Sequence, residues 1–180
     1  MEIEIRAKIK NKDQISGKLI ELGFEDKGSK QIDDYYFGDI TLYEKLNHSF
    51  WIRVRKKGEK ITLAYKGPTE TDGIYEEHES NLDNLEEALT IFKKMGLDNP
   101  INIIKQRHTF KKNNIEALID DIENYGLFLE AEIISENEDK SSLKNLFKEL
   151  NIPDEDIFEK GFITIFLQQQ NSPFCKWIKN

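Results

Sequence analysis

The chain has 180 residues, of which 38% are hydrophobic and 33% charged, and its formal net charge is −8. That length fits one large domain better than two small ones, and eleven Phe and six Tyr supply enough packing surface to exclude a disordered chain. The acidic balance argues against nucleic acid as a partner but permits an anionic small ligand held by a local basic cluster. A single cysteine, Cys175, excludes an intrachain disulfide, and no apolar run is long enough to span a bilayer. Charges recur at every second residue from Glu2 to Lys8, where a signal peptide would be apolar. A soluble cytoplasmic protein with no membrane partner is expected.

Met1 to Ile9 alternates strictly, with charges at Glu2, Glu4, Arg6 and Lys8 and apolar residues at Ile3, Ile5, Ala7 and Ile9. This period of two predicts a strand with one charged face. Lys12 to Leu22 carries Ile15, Leu19 and Leu22 at helical spacing and is stopped by Gly23. Strands are predicted at Gln31–Phe37, Phe50–Lys57 and Lys60–Lys66, the last two joined by a tight turn at Gly58-Glu59. Gly67-Pro68 is read as a strand break and Asp72-Gly73 as a turn, followed by a short strand Ile74–Ser80. Asn81 is the expected cap of a helix bearing Leu82, Leu85, Leu89 and Phe92 and ending at Gly96. Further strands follow at Ile101–Lys111, Ile115–Ile122 and Phe128–Ile134, with a turn at Asn113-Asn114. Helices are expected near Lys140–Leu150 and Phe162–Gln168. The two Gly-ended helices hint at two similar halves within one domain. The aromatic tail, Pro173 to Trp177, can dock on the body or on a second subunit, so a homodimer stays open.

The charged faces recur. Arg53 and Arg55 alternate with Ile52 and Val54, Lys105 and Arg107 share a face, and Glu130 and Glu132 lie opposite Leu129, Ala131 and Ile133. Glu77 and Glu79 share a face, Asp120 falls with Glu116 and Leu118, and Lys66 falls with Thr62 and Ala64. One such strand alone would face water. Repeated paired acids and paired bases are better explained by an α+β fold with a closed or nearly closed antiparallel eight-stranded β-barrel, a tunnel with a charged interior and helices packed outside. Buried charges need compensation, and this set suits a polyphosphate with Mg²⁺ or Mn²⁺. The three histidines, His48, His78 and His108, lack the clustered spacing of a metal site. Cys175 has no activating neighbourhood beyond Lys176, and no Walker-type loop is present.

On these residues the chain resembles the CYTH superfamily of triphosphate tunnel enzymes, and most of all its class IV adenylyl cyclase branch. Glu2-Ile3-Glu4-Ile5-Arg6 is similar to the opening Glu-x-Glu-x-Lys motif, and Gln31-x-Asp33-x-Tyr35-Tyr36 to the branch's second strand. Arg53-Val54-Arg55, Lys66-Gly67-Pro68, Glu76-Glu77 and Lys105-Gln106-Arg107 follow in family order. Asp120 to Glu132 is similar to the closing signature, and the resemblance covers nearly the whole chain, as a single CYTH-like domain 1–180 whose last ~10 residues are a candidate docking tail. Arg6 replaces the motif Lys, Tyr75 stands in place of a frequent Arg, and Asn124-Tyr125 replaces Gly-Leu.

The resemblance implies an adenylyl cyclase: metal-bound ATP enters the tunnel, the ribose 3′-hydroxyl attacks the α-phosphorus, and pyrophosphate leaves. It assigns Glu2, Glu4, Asp120, Glu130, Glu132 and Glu77 as metal ligands, and Arg6, Lys8, Arg53, Arg55, Lys66, Lys105 and Arg107 to phosphate. Glu2, Glu4, Arg53, Lys105, Arg107 and Glu130 would be catalytic. The same residues would serve a triphosphatase acting on inorganic triphosphate, a nucleoside triphosphate or thiamine triphosphate, with water as nucleophile. A non-catalytic nucleotide or polyphosphate binder is the third reading.

Overall fold

A computed structural model describes residues 2–68, 75–97, 99–134, 140–158 and 161–177. The described residues form nine strands: β1 (Glu2–Lys8), β2 (Glu25–Phe37), β3 (Trp51–Lys57), β4 (Lys60–Pro68), β5 (Tyr75–Leu82), β6 (Ile101–Lys112), β7 (Ile115–Ile122), β8 (Gly126–Ile134) and β9 (Ile157–Phe158). The helices are α1 (Lys12–Glu21), α2 (Ile40–Leu46), α3 (Leu85–Lys94), α4 (Ser141–Glu149) and α5 (Phe162–Gln169), and short 3₁₀ turns cover Asp154–Asp156 and Pro173–Trp177. No described helix is long and apolar enough to cross a membrane.

The α+β class matches the expectation, while the barrel needs correction. Among the described residues the strand order is β5-β4-β3-β2-β6-β7-β8-β1-β9, which is open, with nine strands rather than eight. The sequence reading missed β9, a two-residue strand that occupies the edge of β1 through Arg6 opposite Phe158 and Ala7 opposite Ile157. That edge is the one a closing pair would need. Strand β4 continues through Gly67-Pro68, with Pro68 opposite Tyr75 at its end, where a missing N–H costs least. The predicted turn at Asp72-Gly73 lies outside the described residues.

Two compact units emerge, one built from residues 1–31 and 105–159 and the other from 32–104 and 160–180. In the first, β1, β7 and β8 turn Ile5, Ala7, Ala117, Ile119, Leu129, Ala131 and Ile133 to one side, where they pack with α1 and α4 residues Ile15, Leu19, Leu143, Leu146 and Phe147. In the second, Phe37 and Val54 pack with Phe92, Leu85 and Leu89 of α3. Phe37 and Phe92 stack with ring centroids 4.6 Å apart.

The helix stops follow the predicted chemistry. Gly23 at φ +85° and Gly96 at φ +90° adopt the left-handed turn that glycine permits, and Phe24 and Leu97 donate back to Leu19 and Phe92, each at 2.9 Å. The α3 cap is Asn84, whose side chain accepts from the Glu87 amide at 3.1 Å. The predicted cap, Asn81, instead belongs to β5, because Leu82 is still paired with Ile61. Helix α2 was not predicted. Asp39 caps it, and its buried Tyr43 donates to the Phe50 carbonyl. The tail packs within the second unit, with Phe174 at 5.3 Å from Trp51 and Lys176 paired with Glu44 at 3.1 Å.

Candidate functional site

Each unit carries a charged face opposite its apolar one. In the first unit the register sets Arg6 against Glu130, Glu4 against Glu132, and Arg107 against Asp120. Alternation therefore brings residues distant in sequence into one patch, and this patch is buried: Arg6, Lys105, Arg107, Asp120 and Glu130 are all between 0% and 7% exposed. A solvated-sheet reading of this face is thereby excluded.

Asp120 is the anchor of the bases. Arg107 grips it with two donors, Nε to Oδ1 at 2.7 Å and Nη2 to Oδ2 at 2.6 Å, and Lys105 Nζ donates to Oδ2 at 2.8 Å. Glu130 accepts from Arg6 Nε at 2.6 Å on one oxygen and from Arg107 Nη2 at 3.0 Å on the other. Arg6 also pairs with Glu4.

Burial alone would push both carboxyls toward neutrality. For Glu130 the positive charges of Arg6, Arg107 and Lys105 outweigh it and hold the group well below the usual carboxylate range. For Asp120 the charges of Lys105 and Arg107 do the same. Burial likewise opposes the charge on Arg6, but Glu130 and Glu4 raise its pKa and keep it cationic.

Glu4, Glu130 and Glu132 can each point one carboxylate oxygen into a common space, all within 4.8 Å of one another. Three hard oxygen donors fit Mg²⁺ or Mn²⁺. Asp120 stands apart from this trio, engaged with its two bases. Lys8 is exposed. The side chain of Glu2 lies outside the described set. The face extends further than the sequence reading placed it, to Lys111: Glu116 sits opposite both Glu132 and Lys111, and Lys111 Nζ donates to it at 2.8 Å. The signal was present, since Lys111 follows the phase of Lys105 and Arg107.

In the second unit the residues Arg53, Arg55, Lys66 and Glu77 come together. Arg55 holds Asp34 with two donors at 2.6 and 2.8 Å. Asp34, 1% exposed, was missed in the sequence, although it shares the phase of Tyr36 and lies opposite Arg55. Arg53 Nη2 donates to Glu77 at 2.9 Å and to Glu79 at 3.4 Å, and Lys66 Nζ pairs with Glu77 at 2.7 Å. Tyr36 lies on the same face, where burial and the charge of Asp34 push its hydroxyl up to about 12. Glu77 thus keeps company with bases of its own unit. Tyr75, one of the departures from the family pattern, has its side chain outside the described set. At another departure, Asn124 adopts φ +66°, a left-handed turn that Asn tolerates better than other non-glycine residues, so the turn between β7 and β8 keeps the backbone that glycine would give.

The model of the CYTH domain family matches residues 1–162, and the chain belongs to that family. A Methanocaldococcus jannaschii protein named "Putative adenylate cyclase MJ0240" is 33% identical over 173 residues, covering 92% of this chain and 98% of its own. Among solved structures, the PH1012 protein of Pyrococcus horikoshii is 27% identical with a TM-score of 0.78, covering 91% of this chain and 98% of that one. A Hippeastrum protein, HpAC1, described as a putative adenylyl cyclase with dominant triphosphatase activity, shares the fold at 14% identity and TM-score 0.63, covering 95% of each chain. The family is enzymatic, comprising cyclases and triphosphatases that use divalent metal.

Proposed function

We propose that this protein is a divalent-metal-dependent enzyme acting on a triphosphate, and that it converts ATP to cyclic AMP and pyrophosphate. The observation that carries the reading is the carboxylate trio Glu4, Glu130 and Glu132 set beside buried Arg6, Lys105 and Arg107. The relative named as an adenylate cyclase supports the cyclase form of the reaction.

Both oxygens of Glu130 already accept from arginines, yet a carboxylate offers about four lone-pair sites, so those pairs orient the group and leave capacity for a cation. Glu4 and Glu132 complete the proposed ligand set. When bound, the cation would neutralise phosphate charge and polarise the reacting phosphoryl oxygen. Asp120 fixes Lys105 and Arg107 as charged donors with little freedom. These two and Arg6 would grip phosphate oxygens and stabilise the charge that develops on departing pyrophosphate as the 3′-hydroxyl attacks the α-phosphorus. Donors held in place before reaction contribute more than donors that must be recruited. Taken by itself, the second unit offers Arg53, Arg55 and Lys66 as proposed phosphate-binding bases, and the first also offers exposed Lys8.

The test is purified protein with ATP or inorganic triphosphate and Mg²⁺ or Mn²⁺. Cyclic AMP with pyrophosphate bears out the proposal. Orthophosphate alone identifies a triphosphatase, and saturable binding without turnover a binder. Metal-dependent turnover that survives both Glu4→Gln and Glu130→Gln sinks the site assignment.

A further inference from the structure

We propose that Glu77 is a displaceable stand-in for phosphate, which occupies Arg53 and Lys66 until a polyphosphate takes its place; this rests on the phosphate-binding role given above to those two bases. One carboxylate here bridges two cations, with Oε1 on Arg53 at 2.9 Å and Oε2 on Lys66 at 2.7 Å. It does with two oxygens what a phosphoryl group does with three.

The bridge leaves the arginine incompletely used. Arg53 is 7% exposed along its side chain, and its Nε is buried without a hydrogen-bond partner. Arginine's planar fork presents Nε and Nη2 side by side, which suits two oxygens of one phosphoryl group. Glu77 and Glu79 both reach Nη2. Ala64 stands between Arg53 and Glu79 in the register, and its small side chain lets Arg53 extend across β4 toward β5.

The neighbouring pair shows why Glu77 can leave. Asp34, held by Arg55, is 1% exposed, and separating them would strand a buried charge. Glu77 lies on edge strand β5 with its side chain 28% exposed, so a rotamer change returns it to water. Any ligand must then exceed the charge it displaces. A polyphosphate does so, and because displacing Glu77 costs every phosphate ligand alike, the latch lowers apparent phosphate affinity without adding a contact.

The test is calorimetric titration with inorganic tripolyphosphate, and separately with orthophosphate, in EDTA, of wild type and Glu77→Gln. The amide keeps the shape and removes the charge. Glu77→Gln is expected to bind tripolyphosphate about two- to fivefold more tightly, the range of a partly exposed ion pair. It should also raise orthophosphate affinity by a similar factor and leave Mn²⁺ titration unchanged. Glu79→Gln, which removes the 3.4 Å contact to Arg53 and a 3.7 Å contact to Lys60, should show a smaller gain and serves if Glu77→Gln misfolds. Tripolyphosphate affinity that is equal or lower in both variants overturns the latch and leaves the phosphate reading standing. Failure of wild type and variants alike to bind tripolyphosphate overturns both.

Discussion

The two charged faces solve the same problem in different ways. In the first unit the acids and bases are buried together, and Asp120 and Glu130 each accept from two cationic side chains. In the second, one pair is permanent, Arg55 with Asp34, and the rest are arginine and lysine held by glutamates of an edge strand. Burial makes the first arrangement rigid, because losing one partner leaves an uncompensated charge. Exposure makes the second exchangeable, because a released glutamate is hydrated at little cost. A rigid oxygen-rich face suits a metal ion, and exchangeable bases suit a ligand that arrives and leaves.

This contrast can be broken most directly at its two ends. The largest effect is expected from Glu132→Gln or Glu4→Gln, which remove a proposed metal ligand without stripping Asp120 from its bases. Metal-dependent turnover should fall by about a hundredfold or more, measured as product formed at saturating Mn²⁺. Next, Asp120→Ala leaves Lys105 and Arg107 buried against each other. It should cost about 3–5 kcal/mol of stability in urea unfolding. Arg53→Ala is the matching change in the second unit. It should raise KM about tenfold through one lost charge-assisted phosphate contact, while unfolding midpoints move less than for Asp120→Ala.

A pH series sharpens the same point. Asp120 has a folded pKa lowered from 3.8, with burial opposing and Lys105 and Arg107 prevailing. A lowered carboxylate contributes stability that is complete above its unfolded value and is lost as pH falls through the folded one. In metal-free buffer, stability should therefore hold down to near pH 4 and decline below it. Asp120→Asn should flatten that decline, as followed by urea midpoints.

Much of this was legible in the sequence. The alternation of Glu4, Arg6 and Lys8, repeated at Lys105-x-Arg107 and Glu130-x-Glu132, carried the charged face, and Gly23 and Gly96 marked both helix stops. Alternation gives the face of a residue but not its neighbour on the next strand. Glu77 shows this, since only the register sets it opposite Lys66. Asp34 escaped for the same reason: its meaning comes from Arg55 across the sheet. Strand β9 has two residues and exists only through its pairing with β1, so no local pattern announces it. Helix α2 opens with Ile40 and Thr41, poor helix formers, and rests on the Asp39 cap and on burial of Tyr43. Closure of the sheet was an inference from charge pattern, which requires burial but not an edge-to-edge pair.

On the proposed reading, the first unit holds the metal through Glu4, Glu130 and Glu132. Titration of Mn²⁺ into wild type, Glu132→Gln and Arg53→Lys, followed by loss of the free-ion paramagnetic resonance signal, tests it. Binding should weaken at least about tenfold in Glu132→Gln and be retained in Arg53→Lys. Equal binding by all three proteins would contradict the account.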